Sequence, residues 1–169
     1  FSFSVGRGLI DTVLPVFTVQ QLGGADTQYS QIFATANLIS GIGGMIIGGF
    51  LIDYFGKVKM IVVYLSLLIL LVASMSFLKS LWLNELFVTG FIVGFYILLT
   101  FTTIAIFASA MQLCWKRISV TQFTLYMAIS NLGLAAGAAL LGPLKDLFDW
   151  EFVILSYVVF AGVMLVLIR

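Results

Sequence analysis

The chain has 169 residues, 62% of them apolar and only 9% charged, whereas a soluble domain is about 45–50% apolar and about 25% charged. Eight basic and seven acidic residues give a formal charge of +1, which excludes a strongly basic nucleic-acid binder, and a mean hydropathy of +1.20 excludes disorder. With no histidine and a single cysteine, Cys114, the chain has no His-based triad, no usual metal set and no internal disulfide; neither a cofactor nor an enzymatic activity is expected.

The bilayer is therefore the solvent to reason in. A hydrocarbon core about 30 Å thick takes about 20 residues of helix. Cutting the chain where charges, Gly/Pro and polar clusters interrupt the apolar runs predicts six spans, at about 1–22, 26–54, 59–78, 82–113, 119–146 and 150–169. These runs are too long for barrel strands of about 9–11 residues and lack their alternation. Phe1 is not an initiator Met and no basic leader precedes the first run, so the sequence reads as part of a longer chain rather than one opening on a signal peptide.

The first span contains Gly6-Arg7-Gly8-Leu9-Ile10-Asp11-Thr12-Val13-Leu14-Pro15. Arg7 and Asp11 are four apart and share a helix face. They are the only ionisable residues placed well within a span, where a charge costs about 2.5–3.5 kcal/mol and usually faces a wet cavity. Pro15 removes the N–H that would bond the Asp11 carbonyl, favouring a kink beside the charges. One reading gives Asp11 a proton to take up, releasing Arg7 to hold an anionic substrate group. The other is a permanent ion pair, or an Arg7 that snorkels to the surface.

The second span ends in Gly49-Phe50-Leu51-Ile52-Asp53-Tyr54-Phe55-Gly56-Lys57-Val58-Lys59. This run resembles the major facilitator loop motif G-x-L-a-D-r-x-G-r-k, departing from it at Tyr54 and Val58. Asp53 at a helix end can accept hydrogen bonds from a neighbouring helix N-terminus, Gly49 would allow close approach and Gly56 the turn. The resemblance implies a gate made by Gly49, Asp53, Gly56, Lys57 and Lys59. The competing reading is that Asp53 only balances the two lysines.

Gly44-x-x-x-Gly48, Gly90-x-x-x-Gly94 and Gly133-x-x-x-Gly137 offer smooth faces for helix packing, the simplest use of this spacing. Gln112, Asn37 and Asn131 are polar enough to face a cavity, or to bridge neighbouring helices. Glu85 reads as interfacial. Cys114 has no base beside it to make it a nucleophile. Thr121 and Gln122, after the basic pair Lys116-Arg117, could likewise face a cavity, or simply cap the fifth span near its cytoplasmic end.

Lys57, Lys59, Lys116, Arg117 and Arg169 fall on one side of the spans with only Asp53. Lys79 and Lys145 fall on the other with Asp26, Glu85, Asp146, Asp149 and Glu151. The excess of Lys and Arg marks the cytoplasmic side and predicts that both ends of the segment lie there.

The second and fifth spans align. Thr27-Gln28-Tyr29 and Asn37-Leu38 match Thr121-Gln122-Phe123 and Asn131-Leu132 at an offset of 94. After a one-residue gap, Gly44, Gly49, Leu51, Asp53 and Phe55 match Gly137, Gly142, Leu144, Asp146 and Phe148 at 93. Chance alignment of small and apolar residues is the competing explanation. Three spans separate the copies, so the second is upside down relative to the first. Such a 3+3 inverted repeat makes up each six-helix half of a major facilitator transporter.

The stretch Met111-Gln112-Leu113-Cys114-Trp115-Lys116-Arg117-Ile118-Ser119-Val120-Thr121-Gln122-Phe123-Thr124-Leu125, with Asn131-Leu132-Gly133, resembles AmpG-type permeases, a major facilitator branch that includes acetyl-CoA transporter relatives. The resemblance covers nearly the whole chain and implies an all-α membrane fold forming the C-terminal half of such a transporter. It further implies proton-coupled import of muropeptides across a bacterial inner membrane. The expected partners are the lipid bilayer, a small-molecule substrate and the missing N-terminal six-helix half, with no nucleic acid. The alternative is a non-transporting structural membrane subunit or an inactive half-transporter fragment, which would lack six further spans upstream.

Overall fold

In the computed structural model, residues 1–22, 26–82 and 84–168 are described; Arg169 and the side chains of Asp26, Gln28 and Tyr29, used above for orientation and the repeat, lie outside them. The described residues are almost wholly helical and contain no strand. The helices are α1 (Ser2–Leu22), α2 (Asp26–Gly43), α3 (Gly49–Phe55), α4 (Lys57–Phe77), α5 (Glu85–Leu113), α6 (Ser119–Ala139), α7 (Leu141–Leu147) and α8 (Trp150–Ile168). A π-helical turn, Gly44–Gly48, joins α2 to α3 without a break. Leu140 joins α6 to α7 through a tighter turn in which its N–H donates to the Gly137 carbonyl at 3.1 Å.

Five of the resulting rods are long and apolar enough to cross a bilayer: Ser30–Phe55, Lys57–Phe77, Glu85–Leu113, Ser119–Leu147 and Trp150–Ile168. This is an all-α membrane protein. The remaining helix, α1, carries Arg7 and Asp11 and is continuous through Pro15. Its Leu9, Ile10, Val13, Leu14 and Phe17 are almost completely buried, so α1 runs through the protein interior rather than along its edge.

Helix boundaries follow local chemistry. The Asn84 side chain accepts from the N–H groups of Leu86 at 3.0 Å and Phe87 at 3.4 Å, capping α5. Gly56 has φ +92° and ψ 142° between α3 and α4, an extended positive-φ conformation that costs other residues about 1–3 kcal/mol.

Neighbouring helices follow the order α2, α5, α4, α8, α1, α6, each packing extensively on the next, with lighter contacts from α1 to α2 and from α5 to α6. The core lies where α1, α4, α5 and α8 meet, around Phe17, Leu65, Leu68, Phe95 and Tyr157. The tightest seam joins α1 to α6. A Cβ at Gly137 would collide with the Val5 carbonyl oxygen and one at Gly8 with the Leu134 carbonyl oxygen, while one at Gly133 would lie 2.8 Å from Ser4 Cβ. Ser4 and Ser130 share a hydrogen bond of 2.8 Å across the same seam. Gly44 and Gly48 instead face side chains of α5, including Phe101 and Ile104, and Gly90 faces open space.

Candidate functional site

Among the described residues, the one ion pair set deep in a helix, Arg7–Asp11, opens onto a cleft of about 300 Å³ between α1, α2 and α5. Arg7 Nε donates to Asp11 Oδ2 at 3.4 Å, as the four-residue spacing on α1 permits. Arg7 Nη1 reaches Thr103 Oγ1 at 3.5 Å, the outer limit of a hydrogen bond. Thr103 donates its own hydroxyl proton to the Leu99 carbonyl at 2.8 Å, which turns the oxygen toward the guanidinium. Asp11 Oδ1 is buried without a hydrogen-bond partner. The two charged side chains remain about a third exposed, at 35% and 34%, so a solute in the cleft can reach both.

The rest of the lining is aromatic and weakly polar. Phe33 and Asn37 come from α2, and Tyr96, Thr100, Thr103 and Phe107 from α5. Phe33 and Tyr96 meet edge to face at 5.0 Å. Asn37 Nδ2 donates to the Phe33 carbonyl at 2.9 Å within its own helix. The Ser40–Thr100 hydrogen bond of 3.2 Å fixes α2 against α5 just below. A guanidinium held by one carboxylate, in a cleft lined by rings and hydroxyls, can exchange that carboxylate for an anionic group of a ligand.

The other sequence-nominated residues lie elsewhere. Gln112 is exposed at the end of α5 and Asn131 is exposed on α6; neither lines this cleft. Asn37, the repeat partner of Asn131, lines it instead. Phe33, Tyr96 and Thr103 carried no motif signal. The nearest hint was the hydroxyl-rich run Thr100-Phe101-Thr102-Thr103 inside an otherwise apolar helix.

The loop motif lies at the end of the molecule that also holds the α5–α6 turn. Lys57 Nζ donates to the Ala108 carbonyl at 3.4 Å, tying the start of α4 to the last turns of α5. Asp53 and Lys59 are exposed, and Asp53 makes no hydrogen bond or ion pair with another described residue. The close approach expected at Gly49 is not made within this chain, since nothing lies within 4 Å of a Cβ built there. Lys116, Arg117 and Thr121 are exposed. Gln122 Oε1 accepts the Trp115 N–H at 2.6 Å, ordering the α5–α6 turn.

The opposite end carries a cluster of aromatic rings, a cation over one of them and an ion pair. Phe17 packs edge-on against Trp82 at 4.8 Å and Trp150 at 5.6 Å. Lys145 lies 4.6 Å over the Trp150 ring, and Lys79 pairs with Glu151. Among the described residues no group of His, Cys, Asp and Glu is arranged to hold a metal ion. Comparison with protein-family models, with curated proteins and with solved structures finds no match for this chain.

Proposed function

We propose that the chain is one six-helix half of a major facilitator transporter of the AmpG-like branch, carrying an anionic solute by alternating access around the Arg7–Asp11 cleft. The observation that carries the reading is that pair itself: two opposite charges inside an apolar helical bundle, accessible from a cleft large enough for solute atoms. A structural helix gains little from such a pair, because each charge is costly in the bilayer unless it is used.

The order of helix contacts supports the inverted repeat. Exchanging α1 with α5, α2 with α6 and α4 with α8 turns the α2–α5 pair into α6–α1 and α5–α4 into α1–α8, and returns α4–α8 to itself. The lighter pairs α1–α2 and α5–α6 also exchange. That is the pattern expected of two three-helix units related by a pseudo-twofold axis in the membrane plane. The wide exposed faces of α2 and α6 suit a second half packed beside them.

The chemistry follows from the pair. With Asp11 ionised, its carboxylate holds Arg7. A proton delivered to Asp11 neutralises it, and the freed guanidinium binds the anionic group of the solute. Release of the proton on the cytoplasmic side returns Asp11 to Arg7 and expels the solute. The basic residues Lys57, Lys59, Lys116 and Arg117 set that side, in a bacterial inner membrane, and Gly49, Asp53 and Gly56 form the gate there. Uptake of labelled muropeptide by the complete protein in proteoliposomes, with and without a proton uncoupler, tests the assignment. Accumulation that the uncoupler abolishes is expected; no uptake in either condition would remove the muropeptide as substrate.

A further inference from the structure

The rod formed by α2 and α3 buries Ala36, Ser40, Gly44, Gly48 and Ile52, each four residues after the last. A straight α-helix repeats every 3.6 residues, so a four-residue stripe drifts by about 40° per step and leaves the neighbouring helix within a few turns. The π turn at Gly44–Gly48 is wider, which brings Ile52 back onto the buried face. The matching rod of α6 and α7 has no such turn. Its buried Gly133 and Gly137 meet the backbone of α1 directly.

Two glycines bound the π turn, Gly43 before it and Gly49 after it. Neither has an atom within 4 Å of a Cβ built on it, so packing does not require glycine at either place. A glycine inside a helix costs about 0.5–1 kcal/mol relative to alanine, and within this chain backbone freedom is what both supply. On its buried side the turn meets the ends of flexible side chains, Ile104 and Thr100, and the Phe101 ring, against which it can slide.

We propose that the π turn is a flexural joint. Above it, the arm of α2 carrying Phe33 and Asn37 forms one wall of the Arg7–Asp11 cleft. Below it, α3 carries Asp53 and the loop to α4. Bending at Gly43–Gly49 changes the angle between this wall, which Ala36, Ser40 and the Ser40–Thr100 hydrogen bond hold on α5, and α3, which packs through Ile52 and carries the loop end. The joint is a property of the helix and does not depend on what the cleft carries.

The test is a distance measurement in lipid nanodiscs on the whole chain in a Cys114→Ser background, without any solute. Spin labels at Ser30→Cys and Phe50→Cys, both exposed, report across the joint. Labels at Leu86→Cys and Met111→Cys, exposed at the two ends of α5, give the width of an unbroken helix. The cross-joint pair is expected to show a distribution broader than the α5 pair, and Gly43→Ala with Gly49→Ala should narrow it to the α5 width. Deleting the exposed Ile46, which converts the wide turn to an α turn while keeping both buried faces, should do the same; if that chain does not fold, the alanine pair decides. A cross-joint distribution already as narrow as that of α5, or one that the alanines leave unchanged, would overturn the proposal, and neither result touches the transport assignment.

Discussion

At the scale of single residues, the most informative position is Arg7, because its guanidinium divides between Asp11 on its own helix and Thr103 on α5. A lysine keeps the charge but loses the planar fork that can hold two acceptors together. Arg7→Lys is therefore expected to weaken binding of an anionic solute by about tenfold or more, while Thr103→Val, which removes only a contact at the limit of hydrogen-bond length, should change it by less than about threefold. Competition binding on the purified protein separates the two. Gly56 is a purely structural counterpart. Its φ of +92° with ψ 142° means that Gly56→Ala should lower stability by about 1–3 kcal/mol, read as a fall in unfolding temperature in detergent.

The sequence announced Arg7 and Asp11 because charge inside an apolar run is conspicuous on its own. It could not announce Phe33, Tyr96 or Thr103, since aromatic and hydroxyl residues occur throughout these helices and only the packing of α2 on α5 decides which of them meet the pair. Asn37 and Asn131 look equivalent in the alignment. Both are exposed, but only Asn37 lines the cleft, because the one-residue gap between each Asn and its following glycine, Gly44 or Gly137, sets the two amides about 100° apart relative to those glycines.

At the scale of helices, two kinds of glycine contact are distinguishable. Gly8 and Gly137 allow α1 and α6 to touch backbone to backbone, giving the van der Waals packing that replaces hydrophobic burial as the driving force between helices in lipid. Gly137→Leu should force these helices apart and cost about 1–3 kcal/mol or more; Gly142→Ala, which meets nothing within 4 Å, should be neutral or slightly stabilising. Thermal unfolding of both variants checks this. The small-residue spacing was visible in the sequence for Gly44, Gly90 and Gly133 alike. Which of the glycines meets a backbone, a side chain or open space depends on partners far away in the chain, and no local pattern carries that information.

At the scale of the whole molecule, the hydropathy that marks the long helices as bilayer-spanning is written in the composition; residues 1–22 read as a sixth span, and α1 is not among the five helices long and apolar enough to cross. The order of helix neighbours is not, because apolar faces in a membrane are nearly interchangeable and small contacts such as Ser4–Ser130 and Ser40–Thr100 select among them. Cysteine pairs in a Cys114→Ser background test that order directly. Ser4→Cys with Ser130→Cys, and Ser40→Cys with Thr100→Cys, are expected to cross-link under mild oxidation, whereas Ser40→Cys with Ser130→Cys, on helices at opposite ends of the neighbour order, should not.

The proposed cycle couples a proton on Asp11 to an anionic solute held by Arg7. Its most direct test is uptake by the complete protein in proteoliposomes under an imposed proton gradient, comparing the native residue with Asp11→Asn. The native protein is expected to accumulate solute above its external concentration, and the variant to bring it only to equality. Undiminished accumulation by Asp11→Asn would remove Asp11 from the coupling role.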